Sequence, residues 1–132
     1  MTNFEEIFEG TISTEKFKEV NPICLAFIGD AVHTLFVRDN VVKTNSLLLK
    51  DYHKKSASMC KASCQADLLD KMFDNLFPDE QDIVRRARNT KTNTKAKNSD
   101  LETYKKATSY EALIGYLYLK GDYSRLKEIL KG

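Results

Sequence analysis

The stretch from Pro22 to Val42 constrains the fold most, because it is the most apolar part of the chain. Its apolar side chains recur three and four positions apart, which is the period of an α-helix with a buried face. They are Leu25, Ile28, Val32, Leu35 and Phe36. Ionisable residues interrupt the stretch and make a membrane span a poor interpretation. These are Asp30, His33, Arg38 and Asp39. The pattern therefore predicts a long core helix in a protein that is not embedded in a membrane.

The remainder of the chain is also typical of a helical protein. Only 5 Gly and 2 Pro occur among 132 residues, and both residue types disfavour helix interiors. This length suits one domain, and neither a repeat nor a linker divides the sequence. We therefore predict a single all-α domain that comprises residues 1–132, without a convincing strand.

Boundary signals predict where the first helices begin and end. Asn21 is a suitable cap and Pro22 a suitable first residue for the long helix, which we expect to end near Asp39. The next cap lies at residues 44–46. The helical pattern after it fits two helices, with a bend near residues 62–64.

Similar signals predict the later helices. Pro78 and the acids that follow it begin one helix, and Ser99 with Glu102 has the spacing of a capping box. Gly121 should end the last long helix, and Asp122 should cap a short final one.

Charge is unevenly distributed, although the net charge is only +2. Residues 1–20, an N-terminal extension with a short helix near its start, hold five Glu against two Lys. Residues 84–106 hold eight Lys or Arg against Asp100 and Glu102. Residues 89–99 lack an apolar period and are predicted to be a flexible basic loop. The basic block is a candidate phosphate-binding surface.

Three cysteines are present, and the acidic N-terminus does not resemble a signal peptide. We therefore expect a cytoplasmic protein with reduced thiols. Cys60, Cys64 and His53 make a poor zinc set, so structural thiols are favoured over a metal role.

Asp30 and Glu111 stand out because each interrupts an apolar helical segment. A carboxylate in such surroundings is unfavourable unless it is paired, protonated or bound to a cation. For either residue alone, an acid that reaches solvent or pairs with a lysine is the favoured interpretation.

Motifs around these acids resemble those of the ribonuclease III catalytic domain. The segment Leu25–Asp30 is similar to the family's signature motif, and Glu111–Leu113 is similar to its second acidic motif. Further segments narrow the resemblance to the short, stand-alone form, Mini-ribonuclease III. They are His53–Ser56, Gln65–Ala66, Arg88–Asn89, Lys97–Asn98, Thr103–Tyr104 and Glu111–Leu117.

The resemblance implies a helical homodimer that hydrolyses double-stranded RNA and leaves 5′-phosphate and 3′-hydroxyl ends. Asp30 and Glu111 would be the catalytic residues and the ligands of Mg²⁺, for which Mn²⁺ could substitute. The subgroup's usual task is maturation of the ends of the large-subunit (23S) ribosomal RNA precursor. A ribosomal protein that shapes the substrate is a further partner that the resemblance allows.

The sequence departs from the family pattern at two positions. Ala26 and Thr108 stand where the larger enzymes carry additional acids, so the number of bound metals stays open. The Thr108 hydroxyl could hold a metal-bound water.

The resemblance also implies an interface between two copies. Phe27 matches the aromatic residue that enters the partner, and Gly29 allows the close approach of another backbone. Without the resemblance, Phe27 would be assigned to the ordinary core.

The last motif lies close to the end of the sequence, so we expect no separate double-stranded-RNA-binding domain. The catalytic domain would then bind RNA itself, through basic side chains that suit phosphates and 2′-hydroxyls. The expected contacts are His53, Lys54, Lys55, Arg85, Arg86, Arg88, Lys91, Lys95 and Lys97. A solvated charged face is the alternative interpretation.

Three other functions compete with a metal-dependent nuclease. One is a non-catalytic module with a degenerate ribonuclease III fold that binds duplex RNA or a ribosome, a hypothesis motivated by the missing acids. Another is an unrelated helical interaction protein. The third, a nuclease that uses His33 and His53 as acid and base, is disfavoured because it needs two convergent imidazoles.

Overall fold

Helices make up the fold in the computed structural model, which describes residues 1–44, 48–91 and 98–132. The α-helices are α1 (Pro22–Thr44), α2 (Leu49–Met59), α3 (Ala62–Met72), α4 (Pro78–Asn89), α5 (Asn98–Lys120) and α6 (Tyr123–Lys131). Short 3-10 helices occupy Phe4–Ile7, Lys16–Lys18 and Phe73–Asn75. Within the described residues there is no strand, and the predicted all-α class is confirmed.

Helix α5 lies at the centre of the molecule and packs against α1, α3, α4 and α6. Its middle is apolar on all sides, as expected for a helix enclosed by others. The most deeply buried side chains there are Tyr110, Ala112, Leu113, Ile114 and Leu117. Glu111 is the only charged residue in this segment, so the fold carries one carboxylate into its centre.

The predicted boundaries of α1 are partly right. Asn21 Oδ1 accepts a hydrogen bond from Ile23 N at 2.9 Å, which confirms the cap. The helix continues to Thr44, beyond the predicted end at Asp39, because Val41 is 2% exposed and extends the buried face by another turn.

The predicted pair of helices after residue 48 is also present. The break falls at residues 60–61, directly before the predicted bend at residues 62–64.

The start of α4 is tied to α6 by a buried ion pair. Glu80, which is 1% exposed, accepts from the backbone N–H of Phe77 at 2.9 Å. It also accepts from Nε and Nη2 of Arg125, both at 2.8 Å. Glu80 thus accepts from a backbone N–H at the start of α4, the helix start predicted at Pro78, and also joins α4 to α6.

The predicted turn between α5 and α6 is confirmed. Gly121 has a φ of 82°, a left-handed conformation that favours glycine at a helix end. The Asp122 side chain then accepts from Arg125 N at 3.3 Å and caps α6.

The N-terminal extension lies across the ends of α4 and α5. Ile12 N donates to the Leu119 carbonyl at 2.9 Å. Arg86 of α4 donates to the Phe17 carbonyl at 3.0 Å and to the Val20 carbonyl at 3.1 Å. Residues 11–20 are therefore part of the folded unit.

Within the described residues, no helix combines the length and the apolar character needed to cross a bilayer.

Candidate active site

Two glycines bring α1 and α5 into backbone contact. A Cβ atom on Gly29 would lie 1.8 Å from the carbonyl oxygen of Glu111, and one on Gly115 would lie 1.9 Å from that of Leu25. Any larger residue at either position would force the helices apart. This close crossing puts the residues beside Gly29 next to those around Glu111.

The crossing joins the two acids that the sequence predicts to be functional. The side chains of Asp30 and Glu111 are hydrogen-bonded to each other, with Asp30 exposed and Glu111 half-buried. Burial, together with the hydrogen bond to Asp30 and its negative charge, raises the pKa of Glu111 to about 8. A second negative charge beside Asp30 is unfavourable, so a bound cation would favour the ionised form of Glu111.

A buried polar side chain supports Glu111 from α3. Gln65, which is 3% exposed, hydrogen-bonds Glu111 and favours its ionised form. Gln65 Nε2 also lies 3.1 Å from Nδ1 of His33, a residue of α1 that is likewise 3% exposed. The His33 ring faces the interior, whereas His53 is exposed on α2, so the two imidazoles do not share a surface.

The exposed side of the site is formed by α1 and the end of α2. Thr34 Oγ1 donates to Asp30 Oδ1 at 3.4 Å. Cys60, at the end of α2, lies close enough to Asp30, Glu111 and Arg38 to feel their charges, while burial raises the pKa of its thiol. Exposed Asp30 therefore lies on α1 close to the end of α2, with Glu111 nearby.

Ala26 and Thr108, where the larger enzymes of the family carry further acids, provide no additional carboxylate. Ala26 is buried, and Thr108 is 9% exposed one turn before Glu111. Among the residues that the structure describes, no group of three His, Cys, Asp or Glu side chains could hold a metal. The chain itself thus provides a pair of carboxylates at this site.

The donor set nevertheless fits a hard divalent cation. Carboxylate oxygens are the ligands that Mg²⁺ prefers, and it commonly keeps several waters beside one or two protein carboxylates. Burial is the main cause of the raised pKa of Glu111, and the hydrogen bond to Asp30 and the negative charge of Asp30 add to it. A cation bound between the two acids would favour the ionised form of Glu111.

The predicted interface residues differ in their surroundings. Phe27 is 83% exposed, so it is not part of the core of this chain. Gly29 is buried against α5 of the same chain, and the close approach predicted for it is therefore intramolecular. Of the two residues predicted to form an interface between copies, Phe27 is the exposed one.

The basic side chains predicted to bind RNA fall on separate surfaces. His53, Lys54 and Lys55 are exposed on α2, where His53 lines a cleft between α1 and α2 with Arg38 and Tyr52. Arg85 and Arg88 line a different cleft, between α3, α4 and α5, with Asp70 and Lys106.

Nearby groups already engage the arginines of that second cleft. Arg85 lies over the Phe73 ring at 5.5 Å, and Arg88 pairs with Glu102. Lys91 is exposed at the end of α4, whereas Lys95 and Lys97 lie outside the described residues.

Arg86 requires a correction. The sequence predicts an outward-facing, RNA-binding side chain, but its guanidinium is turned toward the N-terminal extension. There it donates to the backbone carbonyls of Phe17, Lys18 and Val20. The Arg86 side chain therefore clamps the N-terminal extension and does not face outward as predicted.

Sequence reasoning assigned no role to Gln65 or Arg38. Gln65 occupies a position of α3 that the helical period places inward, beside Ala66 and Leu69, and a polar residue there signals a buried partner. Arg38 follows Asp30 by two helical turns, so both lie on one side of α1.

A protein-family model described as Ribonuclease III domain matches residues 24–122 of this chain. The matched region begins before Gly29 and ends after Gly115, so it includes the whole helix crossing and both acids.

Similar proteins cover most of the chain. The Mini-ribonuclease 3 of Thermoanaerobacter sp. (strain X514) is 42% identical over 120 residues, which are 91% of this chain and 84% of that protein. The Mini-ribonuclease 3 of Clostridium tetani is 39% identical over 118 residues, covering 89% and 78%. A crystal structure of a Fusobacterium nucleatum protein superimposes with a TM-score of 0.78 at 27% identity, covering 88% of this chain and 93% of that one.

Proposed function

Because this chain belongs to the ribonuclease III family, we propose that it is an endoribonuclease that hydrolyses phosphodiester bonds in double-stranded RNA. The observation that carries the proposal is the pairing of Asp30 with Glu111 across the close crossing of α1 and α5. Family membership supplies the reaction class, and the paired acids supply groups able to perform it.

Asp30 and Glu111 would hold a divalent cation, with Mg²⁺ as the physiological ion and Mn²⁺ as a substitute. Such a cation lowers the pKa of a bound water and offsets the charge that builds on the phosphate. Exposed Asp30 faces the substrate, whereas half-buried Glu111 is held by Gln65 inside the fold. Thr108, beside Glu111 and nearly buried, is proposed to hold a water at the same site.

Duplex RNA would bind across the side where α1 and α2 meet, because exposed Asp30 lies close to the end of α2 there. Exposed His53, Lys54 and Lys55 lie on α2. Arg38 lines the same cleft as His53, and its charge acts on Cys60 together with those of the two acids. Cationic side chains around a cleft suit the phosphates and 2′-hydroxyls of an A-form minor groove. Lys91, Lys95, Lys97, Arg85 and Arg88 are proposed as additional, more peripheral contacts.

Two copies would assemble through α1. Phe27 is 83% exposed, and beside it lies an apolar groove of about 410 Å³. The groove is lined by Phe4, Phe8, Ile28, Val32, Leu35 and Tyr118, among others. In a two-fold interface the same patch serves both copies, so each Phe27 would enter the groove of the other. This arrangement gives two active sites and a cut in each RNA strand.

The natural substrate is proposed to be the large-subunit (23S) ribosomal RNA precursor, with a ribosomal protein that shapes it as a further partner. The similar proteins named Mini-ribonuclease 3 motivate this proposal. Inactivating the protein in its host by Asp30→Asn and determining the ends of ribosomal RNA tests it. Extended 23S ends support the proposal, and unchanged ends would refute it.

The general activity is tested with a fully paired RNA duplex, its separate strands and a DNA duplex of the same sequence, each with Mg²⁺. We expect cleavage of the RNA duplex alone, with 5′-phosphate and 3′-hydroxyl ends. Binding of the RNA duplex without cleavage of any duplex, structured precursors included, would favour the non-catalytic binding module. Absence of RNA binding at low salt would contradict both the nuclease and the RNA-binding module.

A further inference from the structure

A buried network of polar side chains, formed by His33 and Gln65, supports Glu111 from the side that faces the core. Gln65 and His33 are each 3% exposed, and Gln65 Nε2 lies 3.1 Å from Nδ1 of His33. The Gln65 side chain also hydrogen-bonds Glu111. This network thus connects α1, α3 and α5.

The chemistry of the side chains decides which group donates each hydrogen bond in this network. A carboxylate has no N–H, so in the hydrogen bond between Gln65 and the Glu111 carboxylate the Gln65 amide donates its N–H. The other N–H of the same nitrogen is then available to Nδ1 of His33, which accepts it as part of a neutral imidazole. Among the described residues, every buried side-chain nitrogen or oxygen has a partner.

An aromatic contact fixes His33, the residue of this network farthest from Glu111. The rings of His33 and Tyr110 meet edge to face, with centroids 5.3 Å apart and an interplanar angle of 88°. Tyr110 is fully buried and precedes Glu111 in α5. The imidazole plane, and with it the Gln65 amide, is therefore held by the core.

Asp30 has no comparable support within the described residues. It is exposed, and its hydrogen bond from Thr34 is 3.4 Å long. One acid of the pair is thus held by buried contacts and the other by a weak one at the surface.

We propose that Gln65, itself held by His33, is a positioning residue that fixes the Glu111 carboxylate for cation binding. The inference depends on the proposed function for the cation and the substrate. It adds a specific role for two residues that touch neither RNA nor the reacting atoms. A purely structural role for Gln65 predicts lower stability with unchanged cation affinity, so the two explanations can be separated.

The test replaces Gln65 by methionine, which preserves the volume and removes the donor. Mg²⁺ affinity of the RNA-free protein is measured by titration calorimetry, beside the Mg²⁺ concentration that gives half-maximal cleavage of duplex RNA. Loss of a residue that orients a metal ligand typically weakens binding about 10- to 100-fold, and we expect Gln65→Met to raise both values within this range. The cleavage rate at saturating Mg²⁺ should recover to within a few-fold of wild type.

Ser109→Ala is the matched control. Ser109 is a fully buried polar residue near Glu111 in α5, but its hydroxyl donates to the Lys105 carbonyl of its own helix, at 2.7 Å. The control should leave Mg²⁺ affinity unchanged. A Gln65→Met protein that folds and binds Mg²⁺ with wild-type affinity would overturn the proposal.

His33→Phe is the second variant, in case Gln65→Met does not fold. It keeps a ring against Tyr110 and removes the Nδ1 acceptor, so it should weaken Mg²⁺ binding in the same direction by a smaller factor. Unchanged affinity in this variant would also overturn the proposal. If the wild-type protein binds Mg²⁺ without cleaving duplex RNA, the proposed function fails while the calorimetric comparison still tests Gln65.

Discussion

At the scale of single residues, the candidate site keeps two carboxylates together at the expense of stability. Asp30 and Glu111 are hydrogen-bonded, and the half-buried position of Glu111 disfavours its charge. Such an arrangement is unfavourable in the isolated protein and would become favourable with a bound cation. The proposed function therefore accounts for a pair of acids that folding alone disfavours.

The pH dependence of stability should reveal this arrangement in metal-free buffer. The pKa of Glu111 is raised from its ordinary 4.5 to about 8 in the folded protein. Between these values the folded protein holds a proton that the unfolded chain releases. The free energy of unfolding should therefore fall as the pH rises through this window, and added Mg²⁺ should restore it.

Glu111→Gln should flatten that slope, because the amide does not titrate. At pH 8 this variant should be more stable than wild type by about 1–2 kcal/mol, after allowance for solvent screening. Thermal unfolding in EDTA at several pH values measures both effects, with Glu19→Gln at an exposed acid as the control. Equal slopes for wild type and Glu111→Gln would contradict the account.

At the scale of helices, the crossing of α1 and α5 was only partly predictable. Helical period, caps and the breaks at Gly121 and Pro78 predict most helix boundaries from local chemistry. The pairing of Gly29 with Glu111, and of Gly115 with Leu25, depends on how two distant segments pack. The resemblance to known motifs indicated both acids, but the sequence alone did not show that they share a hydrogen bond.

The same limit explains the error at Arg86. A basic residue between Arg85 and Arg88 looks like part of one charged face. The three carbonyls that it binds belong to residues 17–20, which are remote in sequence and carry no signal for this contact. Gln65 went unassigned for a related reason, since both of its partners lie on other helices.

Gly29→Ala should separate the central helices. The added methyl would meet the Glu111 backbone at 1.8 Å, which no side-chain rearrangement relieves. We expect a loss of ~3 kcal/mol or more in the free energy of unfolding, measured with denaturant. Val42→Ala, at an exposed position of the same helix, is the control and should change stability by less than ~0.5 kcal/mol. A Gly29→Ala protein as stable as this control would refute the close crossing.

Arg86 and Arg85 should respond oppositely to substitution. Arg86→Lys keeps the charge but loses the fork that reaches several carbonyls, so stability should fall by about 1–2 kcal/mol and residues 1–20 should become more sensitive to protease. Its RNA affinity should stay near wild type. Arg85→Gln should lower RNA affinity with little change in stability. The reverse pattern would restore Arg86 to the RNA surface.

At the scale of the whole molecule, an exposed aromatic side chain and an adjacent apolar groove favour assembly. Phe27 is 83% exposed, and Leu35, which lines the groove, is 55% exposed. Large apolar side chains that project into water beside a groove commonly mark an interface. The proposed dimer would bury them and bring two active sites to one RNA duplex.

Phe27→Ala should therefore yield a folded monomer. Because Phe27 makes little contact with its own core, the thermal stability of the isolated chain should change little, while the mass measured by light scattering should fall by half. Paired cuts in duplex RNA should be lost. Leu48→Ala, at a position that is 69% exposed, provides the matched control and should stay dimeric. A wild-type protein that is monomeric at all concentrations would contradict the proposed assembly.

The most direct test of the central claim is single-turnover cleavage of duplex RNA by wild type, Asp30→Asn and Glu111→Gln at equal RNA occupancy. The account predicts cleavage by wild type only with Mg²⁺ or Mn²⁺, and a loss of at least a thousandfold in both variants (about 4 kcal/mol in activation free energy), with RNA affinity nearly unchanged. Cleavage by Asp30→Asn at a rate close to wild type would contradict the assignment of this carboxylate pair as the active site.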